Sequence, residues 1–436
     1  MSIETLSILV LFFSFMGLLA YGVPVAYAIG ISTTLTLLIN ISYLPATTTV
    51  SQRMTTGIDN FVLLAIPFFI LAGEIMNRGG VANRLIELAK SMIGSLPGGL
   101  AYVNVIAAML FGSVSGSAVA AASAIGSTLT EKMAKDGYPR EFSASVNISS
   151  STTGLLIPPS NVLIIFALAS GGTASVAALF IAGYIPGMLV GLAIMAMVFY
   201  YAKKKKLPSG DRVSFKKLLV DFKNAILSLS LLLIVVGGIV IGVFTATEAA
   251  AIAVVYAILL GFLNRELKFT DFRQIFLRSA KTTAIVMFLI ATSMAMSWLF
   301  SFQSLPQALT GFLLESVKDP ILVLLFINIT LLLVGTFMDM TPAVLIFTPI
   351  FLPVVMAMGI HPVHFGMIIV LNLCIGVCTP PVGTLLFVGS GVAKVPITKV
   401  IPQLLPFLGA MVAVLMILTY IPELSLWLPR AFGLIN

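Results

Sequence analysis

A chain of 436 residues with 59% apolar side chains, 9% charged ones and a mean hydropathy of +1.12 lies far outside the soluble range, where about a quarter of residues are charged. Its solvent is lipid, and residues 1–436 read as one membrane domain with no room for a soluble one. The net charge of +8 does not mark a nucleic-acid partner, because the basic residues lie in short loops between apolar runs and form no patch.

Runs apolar enough to cross a hydrocarbon layer of about 30 Å as helices fall at 6–21, 25–41, 60–76, 142–170, 177–201, 226–244, 249–263, 282–302, 365–390 and 404–424. The first lacks the basic start of a secretory signal and reads as a permanent span. Two further runs, 100–132 and 321–358, are too long for one span and are broken by small or polar residues at 112–117 and 335–342. Each fits two half-helices that enter and leave on one side, since backbone breaks inside a membrane only where protein or a cavity covers it. With both runs folded as re-entrant hairpins, only Arg53, Lys318 and Arg430 of the 24 basic residues fall on the outer side, as the positive-inside rule requires. The expected protein is multi-pass in a bacterial inner membrane with both termini periplasmic. The basic run at 203–206 anchors that topology and is placed to meet anionic membrane lipid.

The breaks come in matched pairs. Gly112-Ser-Val-Ser-Gly-Ser-Ala118 is followed, 46 residues after Gly112, by the pair Pro158-Pro159. Gly335-Thr-Phe-Met-Asp-Met-Thr-Pro342 is followed, 45 residues after Gly335, by Pro380-Pro381. The fold class is therefore all-α and polytopic, with inverted repeats that each hold a re-entrant hairpin and a broken helix. The first repeat covers 59–201, with its hairpin at about 98–135 and its broken helix at about 141–170. Basic loops and two linking helices fill 202–281. The second repeat covers 282–428, with its hairpin at about 320–358 and its broken helix at about 364–391. Inverted repeats with discontinuous helices are a signature of secondary transporters, whose sites lie near the midplane between the repeats.

A break exposes carbonyl oxygens and half-helix ends, which suit Na⁺ and an anion respectively. One Na⁺ is expected where Ser113, Ser115, Gly116 and Ser117 face the break at 150–154, which includes Gly154. A second is expected where Gly335 and Met338 face Gly376, Cys378 and Thr379. Ser160 and Asn161, at the start of a half-helix, are candidate contacts for a substrate carboxylate or for freed backbone groups. Asp339 is the only one of the 16 acidic residues at a hairpin tip, where it could serve function, cap a helix, or both. Glu74, four residues before Arg78, reads as an interfacial ion pair. Glu248 reads as solvated in a periplasmic turn, His361 and His364 as flanking a short connection, and Cys374 and Cys378 as packed thiols. No His, Cys or carboxylate constellation supports an active site, so the chain is not expected to be an enzyme; an ion channel is a further rival.

Gly112-x-x-Ser-Gly-Ser-Ala-x-Ala120, the Asp136-Gly-Tyr138 turn, Ile157-Pro-Pro-Ser160 and Thr379-Pro-Pro-x-Gly383 resemble the large permease (M) subunit of tripartite ATP-independent periplasmic (TRAP) transporters along essentially the whole chain. The hairpin architecture is also shared with divalent-anion/sodium symporters, so a stand-alone symporter or antiporter is the alternative. The resemblance implies an elevator-type transporter, Na⁺ coupling, a separate small four-helix membrane subunit and a periplasmic substrate-binding protein. It implies sodium sites at Ser115, Gly116, Ser117, Gly154, Gly335, Gly376 and Thr379, and substrate contacts at Ser117, Ser160 and Asp339. Its cargo class is small organic anions: C4-dicarboxylates, sialic acid and other sugar acids, and keto acids.

Overall fold

A computed structural model of the chain describes residues 3–210, 213–316 and 319–435. Arg212 and Lys318, which the charge pattern assigns to opposite sides of the membrane, lie outside the described residues. Among the described residues the elements are helices; one isolated bridge pairs Pro97 with Ser209.

After α1 (Ile3–Ala20), α2 (Val25–Asn40) and α3 (Tyr43–Ile58), one series of elements appears twice. Its first copy is α4 (Ala65–Arg78), α5 (Val81–Ile93), the hairpin of α6 (Gly99–Ser115) and α7 (Ala118–Lys135), and a broken helix made of α8 (Arg140–Ser151), α9 (Thr153–Leu156) and α10 (Asn161–Ala169), then α11 (Val176–Lys205). Two helices, α12 (Phe215–Val240) and α13 (Ala246–Leu263), lead to the second copy. This runs α14 (Phe269–Phe302), α15 (Leu305–Ser316), the hairpin of α16 (Pro320–Phe337) and α17 (Met340–Ala357), the broken helix α18 (Pro362–Gly376) and α19 (Thr384–Ala393), and α20 (Ile397–Tyr420). A short α21 (Glu423–Ala431) follows. Eight helices among the described residues are long and apolar enough to cross a membrane, and the α8–α10 unit, bent by 52° at its break, makes a ninth.

Two elements differ from the sequence reading. α3 fills the stretch between two of the expected spans, to which the sequence reading assigns no element, and it is rich in threonines. Their hydroxyls are satisfied within the helix: Thr47, Thr48, Thr55 and Thr56 each donate to the carbonyl four residues back at 2.8–3.0 Å. Buried Ala46 and Val50 then face inward, and the Arg53 guanidinium lies over the Trp298 ring of α14, 5.0 Å from its centroid. The other difference is α14 itself, a single helix of 34 residues or about 51 Å. It begins at Phe269, where the Asp271 carboxylate accepts from the Lys268 amide at 3.0 Å. Arg273, Arg278 and Lys281 therefore ride on its first turns instead of lying in a loop.

In lipid, apolar burial does not drive helices together, so close approach and interhelical hydrogen bonds must. The first arm of each hairpin packs on the broken helix of its own copy, α6 on α8 and α9, and α16 on α18. The second arm packs on the far half of the other copy's broken helix, α7 on α19 and α17 on α10. The two copies thus interlock. Buried amides fasten each hairpin to its own broken helix: Asn104 Oδ1 accepts from Ser150 Oγ at 3.0 Å, Asn147 Nδ2 donates to the Ala122 carbonyl at 2.8 Å, and Asn372 Nδ2 donates to Asn328 Oδ1 at 2.9 Å. The broken helices meet through Cys374 and Cys378, whose thiols donate to the carbonyls of Thr152 and Ile148 at 3.6 Å. Phe142 packs against both Tyr201 and Phe407, which stack on each other, joining α8 to α11 and α20.

Candidate functional site

The first tip is short because α6 ends on Gly116 in the left-handed region (φ 62), whose amide closes the last turn onto the Gly112 carbonyl at 2.8 Å. Ser117 then starts α7, its Oγ accepting from the Ala120 amide at 3.2 Å. Ser113 Oγ donates to the Leu110 carbonyl and Ser115 Oγ to that of Ser117. Gly112 lies directly on Gly154, where a Cβ on either would come within 2.8 Å of the other's backbone. In the second copy Gly335 meets Gly376 in the same manner, the corresponding distances being 2.9 and 2.6 Å. The sequence-selected glycines are therefore brought together pairwise, as contact points between each hairpin and its broken helix.

Each Pro-Pro pair, cis in both copies, removes two amide donors from its broken helix. In the second copy the freed carbonyls of Gly376 and Val377 accept instead from the amides of Thr379 at 2.8 Å and Leu385 at 3.1 Å. Gly383 reaches across to the hairpin, donating to the Thr336 carbonyl at 3.1 Å. Thr379 Oγ1 donates back to Ile375 at 2.7 Å. Met338 is buried at the tip. The Cys378 side chain turns away from Gly335 toward α8, which leaves its backbone as the part that can face the tip.

Both tips open onto one cavity of about 560 Å³. Four helices begin at its wall: α7 at Ala118, α10 at Asn161, α17 at Met340 and α19 at Thr384. A Cβ on Gly116 would lie 3.0 Å from Asn161 Nδ2, so the first tip touches the start of α10. The second tip touches the start of α19, where the Asp339 carboxylate accepts from Thr384 Oγ1 at 3.5 Å. Asp339 occupies the position before α17 but its side chain makes no capping hydrogen bond there; it is exposed to the cavity. Asn161 Oδ1 has no hydrogen-bond partner among the described residues. Ser160 Oγ also lacks one, but Ser160 is fully buried and does not line the cavity.

A scan for known families matches residues 12–424 to the DctM component of tripartite ATP-independent periplasmic transporters. The chain belongs to this TRAP family. It is 49% identical to the protein YgiK of Salmonella typhimurium over 98% of each chain. It is 42% identical to the C4-dicarboxylate TRAP transporter large permease protein DctM of Pseudomonas aeruginosa, over 86% of this chain and 88% of that one. Among solved structures, that of the Alcanivorax borkumensis YdaH transporter superposes with a TM-score of 0.64 at 15% identity, covering 89% of both chains, a likeness of fold.

The far wall of the cavity in this TRAP large permease consists of residues that sequence reasoning did not select. Gly73, Glu74 and Asn77 face it from α4, and Arg278, Thr282 and Val286 from α14. Glu74 is not paired with Arg78, because Arg78 turns the other way to reach Asp271 at 3.3 Å and Gln274. Gly73 lets α4 approach the first tip, since a Cβ there would lie 2.8 Å from the Ser115 carbonyl oxygen. The available signal was the spacing of Arg278, Thr282 and Val286, four residues apart on one helix face. Thr384 could have been found as the residue that takes, after its Pro-Pro pair, the helix-starting place Asn161 takes in the first copy.

Proposed function

We propose that the chain is the translocating subunit of a Na⁺-coupled importer for a small organic anion, receiving its cargo from a periplasmic binding protein and working with a separate small membrane subunit. The observation that carries this reading is the convergence of four helix starts on one cavity. Each contributes about half a positive charge and first-turn amides, only some of which are taken up by capping bonds, which suits a carboxylate or sulfonate. The neighbouring hydroxyls and carbonyls of Ser113, Ser115, Gly116, Ser117 and Gly154, and of Gly335, Met338, Gly376, Cys378 and Thr379, are the oxygen-rich groups that would take Na⁺ as co-transported cargo. Asp339, Asn161 and Ser117 would face the anion from the tips, and Ser160 would support them from behind.

In this reading the hairpins are re-entrant, both termini are periplasmic, and the interlocked hairpins and broken helices move as one body against α4 and α14. The test is uptake of radiolabelled succinate, N-acetylneuraminate and pyruvate into proteoliposomes holding the permease and a small TRAP membrane subunit from the same organism, with a periplasmic TRAP binding protein from that organism outside. Uptake that needs a Na⁺ gradient and all three proteins is the expected result. Uptake by this chain alone would instead support a stand-alone anion symporter.

A further inference from the structure

The charges around the cavity do not balance for an anionic cargo. Its lining holds two carboxylates, Glu74 and Asp339, and a single cation, Arg278. A carboxylate brought among fixed carboxylates is opposed by like-charge repulsion that low dielectric strengthens. Arg278 is the side chain placed to reverse that. It stands on α14, facing the tips, and its guanidinium has no ion pair or hydrogen bond among the described residues, whereas Arg78 and Arg84 nearby are both bound to acids. An arginine without a partner in a cavity of this size keeps all five N–H donors free, in the planar fork that grips a carboxylate or sulfonate through two bonds. Thr282, one turn further on the same face, adds a hydroxyl beside it.

We propose that Arg278 binds the anionic group of the cargo from the α14 wall in the conformation seen here, while the helix starts of the tips hold the rest. This rests on the importer reading above and adds a fixed cationic contact to it. The interaction is a charged hydrogen-bonded pair whose loss costs about 2 kcal/mol or more, equivalent to roughly a thirtyfold change in affinity.

The experiment compares wild type with Arg278→Gln and Arg278→Lys in the full reconstituted system, using succinate, N-acetylneuraminate and pyruvate as probes. Half-saturation for cargo, half-saturation for Na⁺ and maximal rate are measured separately, and each variant is first shown to purify as a monodisperse protein. Arg278→Gln is expected to raise the cargo concentration for half-maximal uptake about thirtyfold, with Na⁺ half-saturation little changed and Arg278→Lys in between. An unchanged cargo half-saturation in Arg278→Gln, with wild type transporting normally, overturns the role of Arg278 alone. An equal loss in Arg278→Lys and Arg278→Gln confined to maximal rate also overturns it, pointing to a structural role. If wild type moves none of the probes, the importer reading and this inference fall together.

Discussion

Gly112 and Gly154 touch backbone to backbone: a Cβ built on Gly154 would lie 2.3 Å from the Cα of Gly112. No side chain can swing aside to relieve that contact, so even one methyl group must push the first hairpin off its broken helix. Gly154→Ala is expected to lower stability by about 1–3 kcal/mol, the usual cost of overpacking, read as a lower melting temperature in detergent. Gly376→Ala, whose Cβ would lie 2.6 Å from the Gly335 Cα, should behave alike. Gly409→Ala, with nothing within 4 Å, should leave the melting temperature unchanged.

Asp339 holds little of the fold together, since its carboxylate makes no capping bond to α17 and meets Thr384 only at 3.5 Å. Asp339→Asn should therefore fold and melt like wild type while uptake falls about tenfold or more, the scale of losing one charge-assisted hydrogen bond from a hydroxyl of the cargo or one contact to a bound cation. Normal kinetics in this variant would remove Asp339 from substrate and ion coupling.

Ser117 has two jobs in the proposed scheme, capping α7 and lining an ion site. Ser117→Gly separates them, because glycine preserves most of a cap's stability while removing the hydroxyl. The expected result is a near-native melting temperature with a higher Na⁺ concentration for half-maximal uptake. An unshifted Na⁺ dependence would exclude the hydroxyl from the ion site.

Glu248 is exposed at the start of α13 and takes part in a capping box, accepting from the Thr245 amide and hydroxyl at 2.8 Å. Glu248→Ala removes that acceptor and should melt earlier than wild type in detergent, while Glu248→Gln, which keeps an amide oxygen within reach of the Thr245 amide, should fall between the two. Wild-type melting in both variants would show that the box adds nothing to the fold.

The legible parts of the fold are those where small or polar residues interrupt an apolar run. Gly112–Ser117, Gly335–Pro342 and the two Pro-Pro pairs lie within a residue or two of the observed tips and breaks. The illegible parts are those where a helix is sustained by contacts remote in sequence. α3 is polar along its length and depends on α14 to cover Ala46 and Val50. His364 reads as flanking a short connection, with nothing in the sequence to show its partners; it is buried within α18, its Nδ1 2.7 Å from Ser425 Oγ and its Nε2 3.3 Å from the Thr419 carbonyl. Its partners lie 61 and 55 residues away. Half of the cavity was likewise hidden, because Glu74 and Arg278 look like interfacial charges until the packing of α4 and α14 turns them inward.

Much of the chemistry at the four converging helix starts belongs to peptide groups, which every residue but proline carries alike. Substitution can neither improve nor erase such donors without dismantling the helix. Divergence among relatives would then act chiefly through the handful of side chains on the opposite wall, leaving the backbone cradle as the common inheritance.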